Sequence, residues 1–156
     1  MTEFSHLDDR GAARMVDVTA KEVSVRTATA TGRVMLSSAV VELLRGGGVP
    51  KGDAIAVARI AGIQAAKRTP DLVPLCHPIA IHGVDVDLEV RDDGVAIRAR
   101  VRTADRTGVE MEALTCVTVA ALALIDMVKA VDPAAVVTDV RVEEKTGGAT
   151  GTWRRA

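Results

Sequence analysis

The chain has 156 residues, 20 Lys and Arg against 21 Asp and Glu, a net charge of −1 and 48% hydrophobic residues. That length suits one domain with a sizeable core, and the even charge balance offers no basic excess to nucleic acid. One Phe, one Trp and no Tyr leave no aromatic platform for stacking unpaired bases, so a small-molecule site here must be built from charges, amides and aliphatic walls.

The opening MTEFSHLDDRGAARMVDV is polar and mixed in charge, without a signal-peptide apolar run. The longest apolar stretch, Ala113 to Ile125, is broken by Thr115 and Thr118 and reads as too short to span a bilayer. Cys76 and Cys116 make no disulfide framework. These features together predict a cytoplasmic location with reduced thiols, no membrane and no nucleic-acid partner.

Val23 to Leu36 alternates as a strand. Ser37 to Arg45 reads as a short helix stopped by Gly46-Gly47-Gly48. Asp53 is placed to cap a second helix, from Ala54 to about Lys67 and ended by Pro70; Gly62 within it predicts a closely packed neighbour. Val84–Val90 and Val95–Val101 alternate around Asp93-Gly94, a two-residue hairpin signal. That turn would pair Glu89 with Arg98, Asp87 with Arg100 and Asp85 with Arg102, with apolar pairs on the other face. A long helix from about Val109 to Ala130 and a strand from Val136 to Glu144 follow.

The order β, α, α, β, β, α, β predicts an α+β fold: a ferredoxin-like βαββαβ plait with an additional helix, its antiparallel sheet packed on helices. Residues 1–156 read as a single domain, with 1–14 and 146–156 flexible by composition. The long helix is apolar nearly all round, which points to oligomerisation.

Charge on that helix is the strongest functional signal. At about 100° per residue, Glu112, Cys116, Val119, Ala123 and Asp126 share a face, and Asp126 and Lys129 are i,i+3 neighbours. Two readings stand at this point: a site in which acid and base act together, or a solvated ion pair at a helix end. Pro74-Leu75-Cys76-His77-Pro78 is a stiff loop carrying a histidine, equally a tight structural turn. Cys76, His77, His82 and Cys116 lack metal-ligand spacing, so no metal site is expected. Lys51-Gly52-Asp53 opens a helix and offers an anion both charge and free N–H groups. Lys67-Arg68 complements the dipole at the end of the same helix, and Lys145-Thr146-Gly147-Gly148 sets a cation before glycines. Several lysines, one histidine and two acids suit a polyanionic small molecule.

Taken in order, Met15-Val16-Asp17-Val18, Lys51-Gly52-Asp53, Ala58 to Arg68, Pro74 to Pro78, Thr107 to Thr115, Asp126 to Val131 and Lys145 to Gly148 make a pattern that resembles the cyclic pyranopterin monophosphate synthases of molybdenum cofactor biosynthesis, the MoaC family. The resemblance spans nearly the whole chain. It implies a lyase that converts a 3′,8-cyclised dihydroguanosine triphosphate to cyclic pyranopterin monophosphate and releases pyrophosphate, without a cofactor. It also implies a homohexamer, a trimer of dimers, with active sites at the dimer interfaces.

Position by position, the resemblance makes Asp126 and Lys129 the catalytic pair with Lys51, and Leu75, Cys76, His77, Met111 and Glu112 substrate-binding. Lys67 and Lys145 become site lysines, Lys145 reaching across from a partner subunit; Arg26 falls near the phosphates, and Glu110 matches without a defined role. Arg106 and Cys116 depart from the family's usual Lys and Ala. The competing reading is a non-catalytic nucleotide-binding paralogue of the same fold.

Overall fold

The computed structural model describes residues 5–49 and 51–156; the first four residues of the 1–14 segment expected to be flexible lie outside that range. Strands β1 (Ser24–Met35), β2 (Gly83–Arg91), β3 (Gly94–Asp105), β4 (Val136–Thr146) and β5 (Trp153–Arg154) form one antiparallel sheet in the order β2-β3-β1-β4-β5. Without the two-residue β5 this is the strand order of a ferredoxin-like plait, as the element order predicted. Helices α1 (Ser38–Gly46), α2 (Ala54–Lys67), α3 (Thr69–Leu72) and α4 (Glu110–Val128) complete the fold. The one-turn α3 and strand β5 have no counterpart in the sequence reading.

The helix ends follow their capping residues. Ser37 caps α1 by accepting from Val40 N–H, and Gly47 ends it at φ 69°; Asp53 caps α2 by accepting from Ala56 N–H at 2.9 Å. On β1, Ala28, Ala30 and Val34 enter the core, joined by Ile97, Ala99 and Val101 of β3 and by Val117, Ala121 and Leu124 of α4. The alternate residues, including Arg33, Arg98 and Arg100, form a polar outer face.

The hairpin departs from its expected register by two residues. Its tip is Asp92-Asp93, and Gly94 already belongs to β3, opposite Arg91. Asp85 therefore faces Arg100, Asp87 faces Arg98 and Glu89 faces Ala96. The glycine serves the neighbouring strand: at φ 152° it faces Met35, and a Cβ there would lie 1.9 Å from the Val34 carbonyl oxygen. A slip of two preserves the pleat, so apolar and charged faces stay as read. The expected Asp85–Arg102 pair survives as a diagonal contact of 2.6 Å.

Two close approaches set the helix layer. A Cβ on Gly32 would lie 2.6 Å from Val117 Cγ1, so α4 rests directly on β1. A Cβ on Gly62 would lie 2.9 Å from the Cys116 carbonyl oxygen and 3.1 Å from Ala120 Cβ, so α2 lies equally close on α4. At 19 residues α4 is long and apolar enough to cross a membrane by those criteria, longer than the apolar stretch read from sequence. It is instead the core helix, with Ala113, Cys116, Val117, Ala120, Ala121 and Leu124 fully buried. Gly62→Val should therefore lower stability by about 1–3 kcal/mol through overpacking. The urea midpoint measures this, and an unchanged midpoint would show that the helices have room to spare.

Candidate active site

The end of α4 holds the first cluster. Lys51 lies just before the Asp53 cap of α2, in a turn where Gly52 stands at φ 106° and bonds the Val49 carbonyl. Its Nζ donates to the Asp126 backbone oxygen at 2.8 Å and to Asp126 Oδ2 at 3.4 Å. Lys129, the C-cap residue of α4, donates from Nζ to Asp126 Oδ1 at 2.7 Å. The carboxylate is gripped by two ammonium groups at the negative end of the helix dipole. The Lys129 hydrogen bond, and then that of Lys51, holds the Asp126 carboxyl below the usual carboxylate range. In the protomer this cluster is exposed, with 57% of the Asp126 side chain open to solvent.

The start of α4 holds the second. A cleft of about 230 Å³ is lined by Leu75, Cys76, His77, Met111 and Glu112, together with Val16, Lys21 and Gly108. The proline-bounded loop is pinned by Cys76 N–H to the Val73 carbonyl and by His77 Nε2, 2.5 Å from the Val16 carbonyl oxygen. A carbonyl only accepts, so Nε2 carries a proton and Nδ1 is the imidazole's other functional nitrogen. Glu112 is 3% exposed. Burial pushes its carboxyl up to about 7, and the nearby Glu110 charge adds to the rise. Burial, and then the charge of Glu112, raises the Cys76 thiol.

An adjoining cavity of about 280 Å³ is lined by Lys21, Arg26, Glu110, Lys145 and Gly147, among others. Lys145 Nζ lies 3.0 Å from Glu110 Oε1 of its own chain, an ion pair in the lining of this cavity. The glycines after it are sterically required. A Cβ on Gly147 would lie 2.1 Å from the Val25 carbonyl oxygen, and Gly148 stands at φ 78°, a left-handed backbone that side chains rarely adopt. Lys67 ends α2, which runs antiparallel to α4: Lys51 meets Asp126 while Gly62 meets Cys116 and Ala120. Lys67 therefore lies towards the Glu112 end.

Within a single protomer the Asp126–Lys129 pair and Glu112 lie far apart. Glu112 and Asp126 lie about 40° apart around the helix, but 14 residues at about 1.5 Å each separate them by roughly 21 Å. The candidate residues form two clusters at opposite ends of one rod. Sequence reading also missed Lys21 and the Val16 carbonyl, which sit in a stretch without periodicity. A hollow of about 640 Å³ on the outer sheet face, among Arg33, Asp87, Glu89, Arg98, Arg141 and Glu143, includes none of the candidate residues. Among the described residues no three His, Cys, Asp or Glu side chains are grouped to hold a metal. His82 is otherwise engaged, its Nδ1 accepting from Ala104 N–H at 3.3 Å.

The raised Glu112 value has a consequence for stability. An acid whose folded value lies above its unfolded value adds stability that is complete below about 4.5 and is lost as pH rises towards about 7. Wild type should lose at most about 3 kcal/mol relative to Glu112→Gln across that window. Urea midpoints of both proteins against pH measure this, and parallel profiles would place an ionised, compensated carboxylate at Glu112.

Residues 15–148 match the model of the MoaC family. The chain is 70% identical over 155 residues to the cyclic pyranopterin monophosphate synthase of a Nocardioides species, covering 97% of this chain and 95% of the relative. It is 69% identical over 153 residues to the protein of that name from Streptomyces avermitilis, covering 98% and 90%. Cyclic pyranopterin monophosphate synthase 2 of Mycobacterium tuberculosis is 60% identical over 153 residues, with 98% and 92% covered.

Proposed function

The chain belongs to the MoaC family, and on that premise we propose that its two clusters are the two sides of one active site, completed between protomers. The protein is a cyclic pyranopterin monophosphate synthase, a lyase of molybdenum cofactor biosynthesis acting on a small molecule. Its substrate is the 3′,8-cyclised dihydroguanosine triphosphate, its products cyclic pyranopterin monophosphate and pyrophosphate, and its location the cytoplasm. The observation that carries the composite site is the separation of about 21 Å along α4. No single triphosphate reaches from the Lys51–Asp126–Lys129 cluster to the Glu112 cleft along the outside of a helix. A second protomer, its α4 reversed, supplies the missing half. Exposed apolar residues support association: Ile60 on α2 is 65% exposed and Leu122 on α4 63%. The assembly is a homohexamer, a trimer of such dimers.

In that site the ring rearrangement needs proton transfers. Asp126 is held ionised and ready to accept a proton, and Glu112, with its carboxyl near 7, gives or takes one close to neutrality. When the cyclic phosphate closes, a hydroxyl oxygen bonds to the α-phosphorus and the bond to the pyrophosphate oxygen breaks. The hydroxyl proton passes to a base, and the leaving group carries away the electron pair. Lys51 and Lys129 offset the growing negative charge. Leu75, Cys76, His77, Met111, Lys67 and Lys145 hold the substrate.

Asp126→Ala and Lys129→Ala should each lower turnover by about 10²- to 10⁴-fold while light scattering still reports a hexamer. The thermal midpoint should barely move, because an exposed pair contributes about 0–1 kcal/mol. Near-normal turnover in Lys129→Ala would reduce the cluster to a helix cap. Retained nucleotide binding without turnover in the unsubstituted protein would instead identify a non-catalytic paralogue.

Complementation tests the composite site. Lys129→Ala and Glu112→Ala chains, each inactive alone, should regain activity when unfolded together and refolded as a mixture. In a mixed dimer one site draws Lys129 from one chain and Glu112 from the other. A mixture as inactive as its parents would refute a shared site.

A further inference from the structure

Three hollows meet at one residue that lies outside every motif of the sequence. Lys21 lines the cleft of about 230 Å³ with His77 and Glu112, and the cavity of about 280 Å³ with Arg26 and Lys145. It also lines a third hollow of about 420 Å³ with Ser24, Arg26 and Gly148. Among the described residues no carboxylate forms an ion pair with Lys21 or Arg26, whereas Lys145 is occupied by Glu110. The Ser24 hydroxyl, buried in the lining of the third hollow, has no hydrogen-bond partner among the described residues.

Lys21 is held by its backbone. Its N–H donates to the Val18 carbonyl at 3.0 Å, and its own carbonyl accepts from Arg106 Nε at 3.0 Å. The preceding turn is tied by Thr19 N–H to Asp17 Oδ1 at 2.8 Å. Arg106 is fixed in turn, its N–H donating to Asp105 Oδ1 at 2.7 Å. The guanidinium thus acts on the backbone of a neighbour and reaches none of the site's carboxylates. This gives the departure at Arg106 a specific use.

We infer that Lys21 is a further substrate-binding residue, a cation for the polyphosphate placed beside Arg26 and the Ser24 hydroxyl, and that Arg106 is its positioning residue. The assignment rests on the reading of a triphosphate substrate that releases pyrophosphate. Inorganic pyrophosphate is therefore the probe, and calorimetry on the intact oligomer the measurement. A charge-assisted contact is among the stronger hydrogen bonds, so Lys21→Met should weaken pyrophosphate at least about tenfold. The loss should shrink as salt rises, since Lys21 sits at the surface. In turnover, KM should rise with kcat little changed, and the thermal midpoint should stay in place.

Arg106→Ala should shift both readings in the same direction by less, with Arg106→Lys recovering part of the effect. The double variant should bind no worse than Lys21→Met alone, because both changes remove one interaction. Wild-type pyrophosphate affinity in Lys21→Met, or losses that simply add in the double variant, would overturn the assignment. Lys21-dependent pyrophosphate binding by a protein that does not turn over the cyclised triphosphate would sink the enzyme reading and leave this one standing. Turnover with pyrophosphate affinity independent of Lys21 would do the reverse.

Discussion

The contact of α2 on α4 at Gly62 governs the chemistry at both ends of the molecule. With no side chain at that position, the Cys116 carbonyl and the Ala120 methyl come within van der Waals reach of the α2 backbone. Two antiparallel rods in such close contact have little freedom to slide, because packed interiors resist even a methylene's displacement. Lys51, just ahead of α2, is thereby delivered onto the last turn of α4. The other end of α2 runs into α3, where Thr69 Oγ1 donates to the Ala66 carbonyl at 3.0 Å, and then into the loop that carries Cys76 and His77.

The two ends differ in electrostatic character. At Asp126 the charges are open to water, and a partner's surface would strengthen them by excluding solvent. At Glu112 the protein has already removed the water, and the cost appears as a carboxyl that keeps its proton near neutrality. A composite site would therefore join a preorganised, dry acid to a pair of cations that assembly itself dries. Coupling chemistry to association in this way would leave an isolated protomer with complete secondary structure and an incomplete reaction centre.

Much of this was legible in the sequence because it is local. Ser37, Asp53 and Gly47 mark helix ends through their own backbone and side-chain hydrogen bonds, and the alternation of β2 and β3 separates their faces without reference to the rest of the chain. The failures are non-local. Gly94 looked like turn chemistry, but its lack of a side chain serves β1, a strand some 60 residues earlier in the chain, so the hairpin slipped by two. Rotation about α4 sets Glu112 and Asp126 on one face, but the rise between them puts them at opposite ends of the helix, where only tertiary structure decides what each one meets. Lys21 was silent because its place depends on a hydrogen bond from Arg106, 85 positions away. The meeting of Lys145 with Glu110 was equally invisible locally, because it depends on the antiparallel pairing of β4 with β1.

Strand β5 has a practical consequence for spectroscopy. Trp153, the chain's one tryptophan, pairs with Lys145 at the sheet edge, 43% exposed, with the Arg155 guanidinium 5.7 Å from its ring. No tyrosine competes with it for ultraviolet excitation. Emission from this molecule thus reports one short strand and not the aliphatic interior. A fluorescence melt would register detachment of the last few residues, while the helices would be visible only to circular dichroism. Two optical probes that disagree about the transition would then reflect where the only indole sits, and would not by themselves reveal a folding intermediate.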